Sequence, residues 1–224
     1  MDDFISYLQT IDTPTVSNAI ELLDLRPRTE NFAPYTIRCL YPELGPMVGY
    51  AVTVQIETMT RMEPLDPKQT IAFYEAVDAS PKPSVIVIQE IGGFAEFAAH
   101  SGEVMVTILK NFGVIGLVSD CNVRDFDEVR RLGFHYFATG TVASHAYCRI
   151  ARVGCPVQIR GMTIRPGDIL HGDVNGLIEV PAQSAEKLPQ MVDRVRSEER
   201  ELMEEVRAGG FTLERLRERI TGYR

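Results

Sequence analysis

The spacing of apolar residues changes along this chain, and the changes mark its elements. Residues 84–89 (SVIVIQ) and 114–118 (VIGLV) are short continuous apolar runs, the pattern of strands buried on both faces. Residues 47–56 (MVGYAVTVQI) are rich in β-formers and read as another strand. Elsewhere the spacing widens to that of a helix. FISYLQ near the start predicts a short helix, and Thr13 followed by Pro14 reads as an N-cap and first helical residue. Val16, Ile20 and Leu23 then share one face. Asp66-Pro67 opens a helix running to about Ala79, and further helices are expected over 102–111 and 124–132. Short strands are expected near 135–138, 157–159, 169–170 and 177–180. The proline-rich stretch 25–46 reads as loop.

Strands and helices alternate in the middle of the chain, so part of the sheet should be parallel. The later, strand-dense part points to a mixed or barrel-like sheet. A long charged helix over 184–208 should stop at Gly209-Gly210. No linker divides the 224 residues, so a single α/β domain is expected over 1–224, with its core at about 12–182.

Composition narrows the function classes. The net charge is −8, which argues against a broad nucleic-acid footprint. No apolar run approaches the roughly 20 residues of a membrane helix, and the acidic start MDDFISYLQT lacks the form of a signal peptide. The expectation is a cytoplasmic protein that binds neither membrane nor nucleic acid. Cys39, Cys121, Cys148 and Cys155 have no metal-ligand spacing and read as reduced, mostly buried thiols. His100, His135, His145 and His171 show no metal spacing either.

The chemistry concentrates in GVIGLVSDCNVRD, residues 113–125, where a buried strand gives way to Ser119, Asp120, Asn122, Arg124 and Asp125. Ligands of open α/β sheets bind at such strand ends. Arg124 offers a planar fork for a carboxylate, and Asp125 offers hard oxygens that suit Mg²⁺ or Mn²⁺. An internal salt bridge or a helix N-terminal acid accounts for the same pair. Gly102 and Glu103 stand at the start of the preceding helix, with 20 residues between Glu103 and Arg124. That length fits one helix, one strand and a turn, so both can lie at one end of neighbouring strands. The free amides of Val104 and Met105 at that helix start form an anion site. The set can bind a small 2-oxo acid.

Glu-x20-Arg-Asp resembles the signature of RraA-like proteins, among them 4-hydroxy-4-methyl-2-oxoglutarate aldolases and related oxaloacetate decarboxylases. Val16-Ser17-Asn18-Ala19 resembles an early V-S-D-A stretch of that family, and Gly49 to Val54 resembles its G-x-A-x-T-V strand. Phe137 to Gly140 resembles F-A-x-G, and Gly161 to Pro181 resembles G-x-x-V-x-P-G-D…D-x-x-G-V…P. Together these cover about residues 12–208. The departures are Asn18 for an acid, Cys121 and Arg160 for glycines, Pro81 to Pro83 for a Gly-Asp turn, and residues 55–70. The core catalytic positions are kept, but the substrate-shaping positions do not all match, so a substrate different from the best-known one is allowed.

The resemblance implies an α/β sandwich like the swivelling phosphohistidine domains, assembled as a homotrimer or hexamer with the active site between subunits. It implies Asp125 as a direct ligand of a divalent metal, with Glu103 reaching it through water. Arg124 and the amides of Val104 and Met105 would hold the pyruvyl carboxylate. It also implies an acid from a neighbour's C-terminal helix. Glu199 interrupts the apolar stripe Leu188, Val192, Val195, Leu202, Val206, and it is either that acid, a residue at a solvated edge or the partner of an arginine. The implied activity is metal-dependent C–C cleavage releasing pyruvate, by retro-aldol reaction or decarboxylation. A regulatory role on an RNA-processing nuclease, as ascribed to RraA itself, is the alternative.

Overall fold

The eleven residues from Met47 to Glu57, rich in β-branched side chains, form the longest strand among the described residues, and most of the fold is arranged around it. The computed structural model describes residues 2–58 and 66–222; residues 59–65, part of the stretch that departs from the family pattern, lie outside the described residues. The order is α1 (Asp2–Leu8), α2 (Thr13–Leu22), β1 (Arg38–Cys39), β2 (Met47–Glu57), α3 (Pro67–Ala79), β3 (Ser84–Glu90), α4 (Glu103–Asn111) and β4 (Val114–Ser119). It continues with α5 (Phe126–Arg131), β5 (His135–Ala138), β6 (Arg149–Val153), β7 (Val157–Ile159), β8 (Met162–Ile164), β9 (Ile169–Asp173), β10 (Gly176–Val180), α6 (Leu188–Arg207) and α7 (Leu213–Gly222).

The large sheet is mixed, in the order β1-β5-β4-β3-β2-β9-β10. Strands β2, β3, β4 and β5 are parallel, as the buried runs and intervening helices require. Strand β2 carries two partners on its other side. Met47 to Tyr50 pair antiparallel with β9, and Val54 to Glu57 pair antiparallel with β6. Alternation along the strands divides the core. Val52, Val54, Ile56, Ile86, Ile88 and Leu117 face the helices, meeting Phe73 and Val77 of α3 and Val106 and Leu109 of α4. Ala51, Val85, Val87, Val118 and Phe137 face the β7–β8 hairpin. A third cluster seats α1, α2 and α6 against Val48, Tyr50 and Ile169. Each valine, leucine, isoleucine or phenylalanine among them, fully buried, contributes about 1.5–3 kcal/mol, so the sheet is held firmly on both faces. No helix among the described residues is long and apolar enough to cross a membrane.

Several boundaries differ from expectation. The cap of α2 is Asp12, whose carboxylate accepts from the Thr15 amide at 2.9 Å and the Thr15 hydroxyl at 2.8 Å. Thr13 lies inside the helix and its hydroxyl meets His171 Nδ1 at 3.0 Å. Arg124 and Asp125 precede α5 rather than beginning it. The long helix starts at Leu188, after a short 3-10 turn at Ala182–Ser184. The expected loop over 25–46 contains β1 and a 3-10 turn at Pro42–Leu44.

Candidate active site

The parallel strands β3 and β4 end side by side, and the chain beyond each is tied to the other. After β3, the Glu90 carboxylate accepts the amides of Gly92 at 2.8 Å, Gly93 at 2.8 Å and Phe94 at 3.0 Å. This cradle turns the chain toward Ala98 to Ser101. After β4, the Asn122 amide donates to the Ala98 carbonyl at 3.3 Å and the Arg124 amide donates to the Ser101 carbonyl at 3.1 Å. Beneath them the Tyr136 hydroxyl donates to the Ser101 hydroxyl oxygen at 2.9 Å, with both residues buried.

The two segments deliver Gly102 and Asp125 to the same point. Asp125 sits in the left-handed region at φ 54° and ψ 46°, a conformation that costs a non-glycine residue about 1–2 kcal/mol. Its Oδ2 accepts the Glu103 amide at 2.8 Å. A Cβ on Gly102 would lie 2.3 Å from that oxygen, so only glycine leaves room. Arg124 Nε lies 3.8 Å from Asp125 Oδ1, and the two side chains are 38% and 35% exposed. An ion pair this open contributes little to stability. Both plain readings of Arg124 and Asp125 therefore hold: the acid caps the start of α4 and it faces the arginine. Neither uses the whole guanidinium fork.

Helix geometry leaves the first amides of α4 without intrahelical acceptors. That of Glu103 is occupied by Asp125, and that of Val106 reaches the Gly102 carbonyl at 3.0 Å. The amides of Val104 and Met105 are thus the open donors of the turn. The Glu103 side chain is exposed beside them. Gly102, Glu103, Val104, Met105, Arg124 and Asp125 are gathered in one place, as expected. Glu199 is not among them. It lies on α6, exposed, and its Oε1 accepts the Asn18 side-chain amide at 3.3 Å. No group of three or more His, Cys, Asp or Glu side chains among the described residues could hold a metal alone.

Beside the site lie a buried acid, already singled out at the end of the apolar run, and a histidine–thiol cluster that had no signal in local spacing. The Asp120 carboxyl, buried at the end of β4, is pushed up to about 6 by desolvation, although the Glu90 amide donates to its Oδ1 at 2.9 Å. The His100 ring lies between two thiols, with Nε2 3.1 Å from Cys121 Sγ and Nδ1 3.2 Å from Cys148 Sγ. Burial pushes this histidine down to about 3, so it is neutral. The three residues are far apart in sequence, which hides the cluster from any spacing rule.

A protein-family model described as RraA-like (Aldolase/RraA) matches residues 13–178. The chain belongs to the RraA-like family. Among similar family proteins is one of Halalkalibacterium halodurans, named provisionally as a 4-hydroxy-4-methyl-2-oxoglutarate aldolase. It is 30% identical over 198 residues, covering 88% of this chain and 85% of that protein. A solved structure of an uncharacterised Pseudomonas syringae pv. tomato protein aligns with TM-score 0.73 and 26% identity, covering 97% of this chain and 93% of that one. A Streptomyces coelicolor structure, described as an unusual member of the RNase ES inhibitor RraA family, aligns with TM-score 0.68 over 92% of this chain and 96% of that one. At 23% identity that likeness speaks for the fold alone.

Proposed function

We propose that the chain is a divalent-metal-dependent lyase that cleaves a C–C bond of a short 2-oxo acid and releases pyruvate. The substrate would be 4-hydroxy-4-methyl-2-oxoglutarate or a related acid, with oxaloacetate decarboxylation by the same site. The observation that carries this reading is the convergence of Arg124 and Asp125 on the start of α4, where the Asp125 carboxylate holds the Glu103 amide at 2.8 Å.

The donors suit a hard, largely hydrated cation. One Asp125 oxygen is engaged by an amide and the other faces the Arg124 side chain across 3.8 Å. Mg²⁺ commonly takes one or two protein carboxylates and keeps several waters, so a single acid per chain fits it, and Mn²⁺ similarly. Asp125 would hold the cation directly, with Glu103 and a neighbouring subunit's Glu199 acting through water in a homotrimer or hexamer. A divalent cation there supplies Lewis acidity toward the 2-keto oxygen.

The chain's own residues do the rest. The Arg124 fork and the amides of Val104 and Met105 bind and orient the substrate carboxylate. In the retro-aldol reaction the C3–C4 bond breaks, its electron pair passes to C3, and the C4 hydroxyl loses its proton as it becomes a carbonyl. Glu103 would take that proton through water. Decarboxylation needs no such base, since carbon dioxide leaves with no proton to remove. Pyruvate release by the wild type and by Arg124→Ala and Asp125→Ala tests the reading.

A further inference from the structure

Behind the start of α4 lies a cavity of about 180 Å³. Its walls include Ile56 and Ile88, at the carboxyl ends of the parallel strands β2 and β3, with Phe73 of α3 and Ile150 of β6. His100 and Met105, which flank the Gly102–Glu103 turn of the candidate site in sequence, also line it. Met105 serves both spaces: its amide is an open donor at the helix start, and its side chain lines the cavity. None of the described lining residues is charged, and His100 is neutral with both ring nitrogens against thiols. The polar groups on its described walls are the Thr70 and Tyr74 hydroxyls, the Cys148 thiol and the His100 ring, so a carboxylate entering such a space would lose its hydration with no counter-charge to replace it. An apolar group would lose nothing comparable, and roughly 150 Å³ of apolar cavity is enough to hold benzene.

We propose that this cavity is the subsite for an apolar alkyl or aryl group on C4 of the substrate, so that the chain prefers 4-hydroxy-2-oxo acids with an uncharged distal end. The proposal rests on the lyase reading and, among the related acids that reading allows, places the preferred substrate with the apolar ones and not with the diacid. The chemistry is the same retro-aldol cleavage: the C3–C4 bond breaks, the C4 hydroxyl proton leaves, and C3 is protonated to give pyruvate and an apolar aldehyde. The Met105 side chain, unbranched and adaptable, is the movable wall between the carboxylate anchor and the cavity.

The test compares cleavage of 4-hydroxy-2-oxo-4-phenylbutanoate and 4-hydroxy-4-methyl-2-oxoglutarate with Mg²⁺. It uses the wild type and Thr70→Phe, which places a ring at an exposed rim position on α3 rather than in the core. The wild type should favour the phenyl substrate by about tenfold or more in kcat/KM, as apolar pockets discriminate. Thr70→Phe should remove most of that preference and leave the diacid within about twofold. Benzyl alcohol should raise the melting temperature of the wild type and not of Thr70→Phe. Turnover of the diacid without preference for the phenyl substrate, an equal loss on both substrates, or no benzyl alcohol shift overturns the subsite and leaves the lyase reading standing. No turnover of either substrate by folded protein overturns the lyase reading and the substrate role of the cavity with it.

Discussion

The Asp125 carboxylate reaches across from one post-strand segment to hold the Glu103 amide of the other, at 2.8 Å. One side chain therefore caps a helix and offers its second oxygen to solvent and to Arg124. The two roles separate by substitution. Asp125→Ala removes the cap and should lower stability by about 0.5–2 kcal/mol. Asp125→Asn keeps an acceptor oxygen and should retain most of that stability while losing the charge a cation needs. Urea unfolding with metal-dependent turnover checks this, and an active Asp125→Asn would contradict the assigned role.

Gly102 is the second half of that relationship. A methyl group there would sit 2.3 Å from Asp125 Oδ2, so Gly102→Ala must push the carboxylate away from the Glu103 amide. The expected outcome is a loss of activity of about 10²-fold, the usual effect of an ångström-scale misplacement, with the protein still folded by circular dichroism. Wild-type activity in Gly102→Ala would show that the close contact is unnecessary.

Buried titrating groups set how stability responds to acid. Burial holds His100 down to about 3 and His135 down to about 4. Each takes a proton more readily in the unfolded chain, so its contribution is complete above about pH 6.5 and is lost as pH falls. At pH 5 the loss is at most about 2 kcal/mol per histidine. Asp120, pushed up to about 6, acts in the opposite sense: its contribution is present below about pH 4 and is lost as pH rises through 6. The two histidines outweigh it at pH 5, so the urea midpoint should be lower there than at pH 7, and His100→Gln should shrink the difference. A midpoint that rises on acidification would contradict these environments.

Glu199 meets Asn18 at 3.3 Å, and both are exposed. Glu199→Gln can keep that hydrogen bond, so the fold should be unaffected. If the acid acts in a neighbouring subunit's site, turnover should fall by about tenfold or more, within the range of a lost metal-orienting partner. Unchanged turnover would leave Glu199 a surface partner of Asn18.

Most of the elements were readable from the sequence, and the exceptions have physical causes. Strands β3 and β4 are buried on both faces, so their apolar runs identify them. Strand β6 (RIARV) lies against only part of β2, with half-buried and exposed residues, and it carries no alternation. Helix α7 has no buried residue among those described, so nothing in the core constrains its pattern. The placement of Gly102, Glu103, Arg124 and Asp125 was legible because the length of one α/β unit fixes it. The Tyr136–Ser101 bond and the His100–Cys121–Cys148 cluster were not, since they join segments that only the folded sheet brings together.

Pyruvate release from oxaloacetate and from 4-hydroxy-4-methyl-2-oxoglutarate tests the central claim most directly. It should be measured with Mg²⁺ or Mn²⁺ and with EDTA, for the wild type, Arg124→Ala and Asp125→Ala. The account predicts metal-dependent turnover that EDTA abolishes and that each substitution reduces by about 10²-fold or more. Full activity in EDTA, or wild-type rates in both variants, would contradict it.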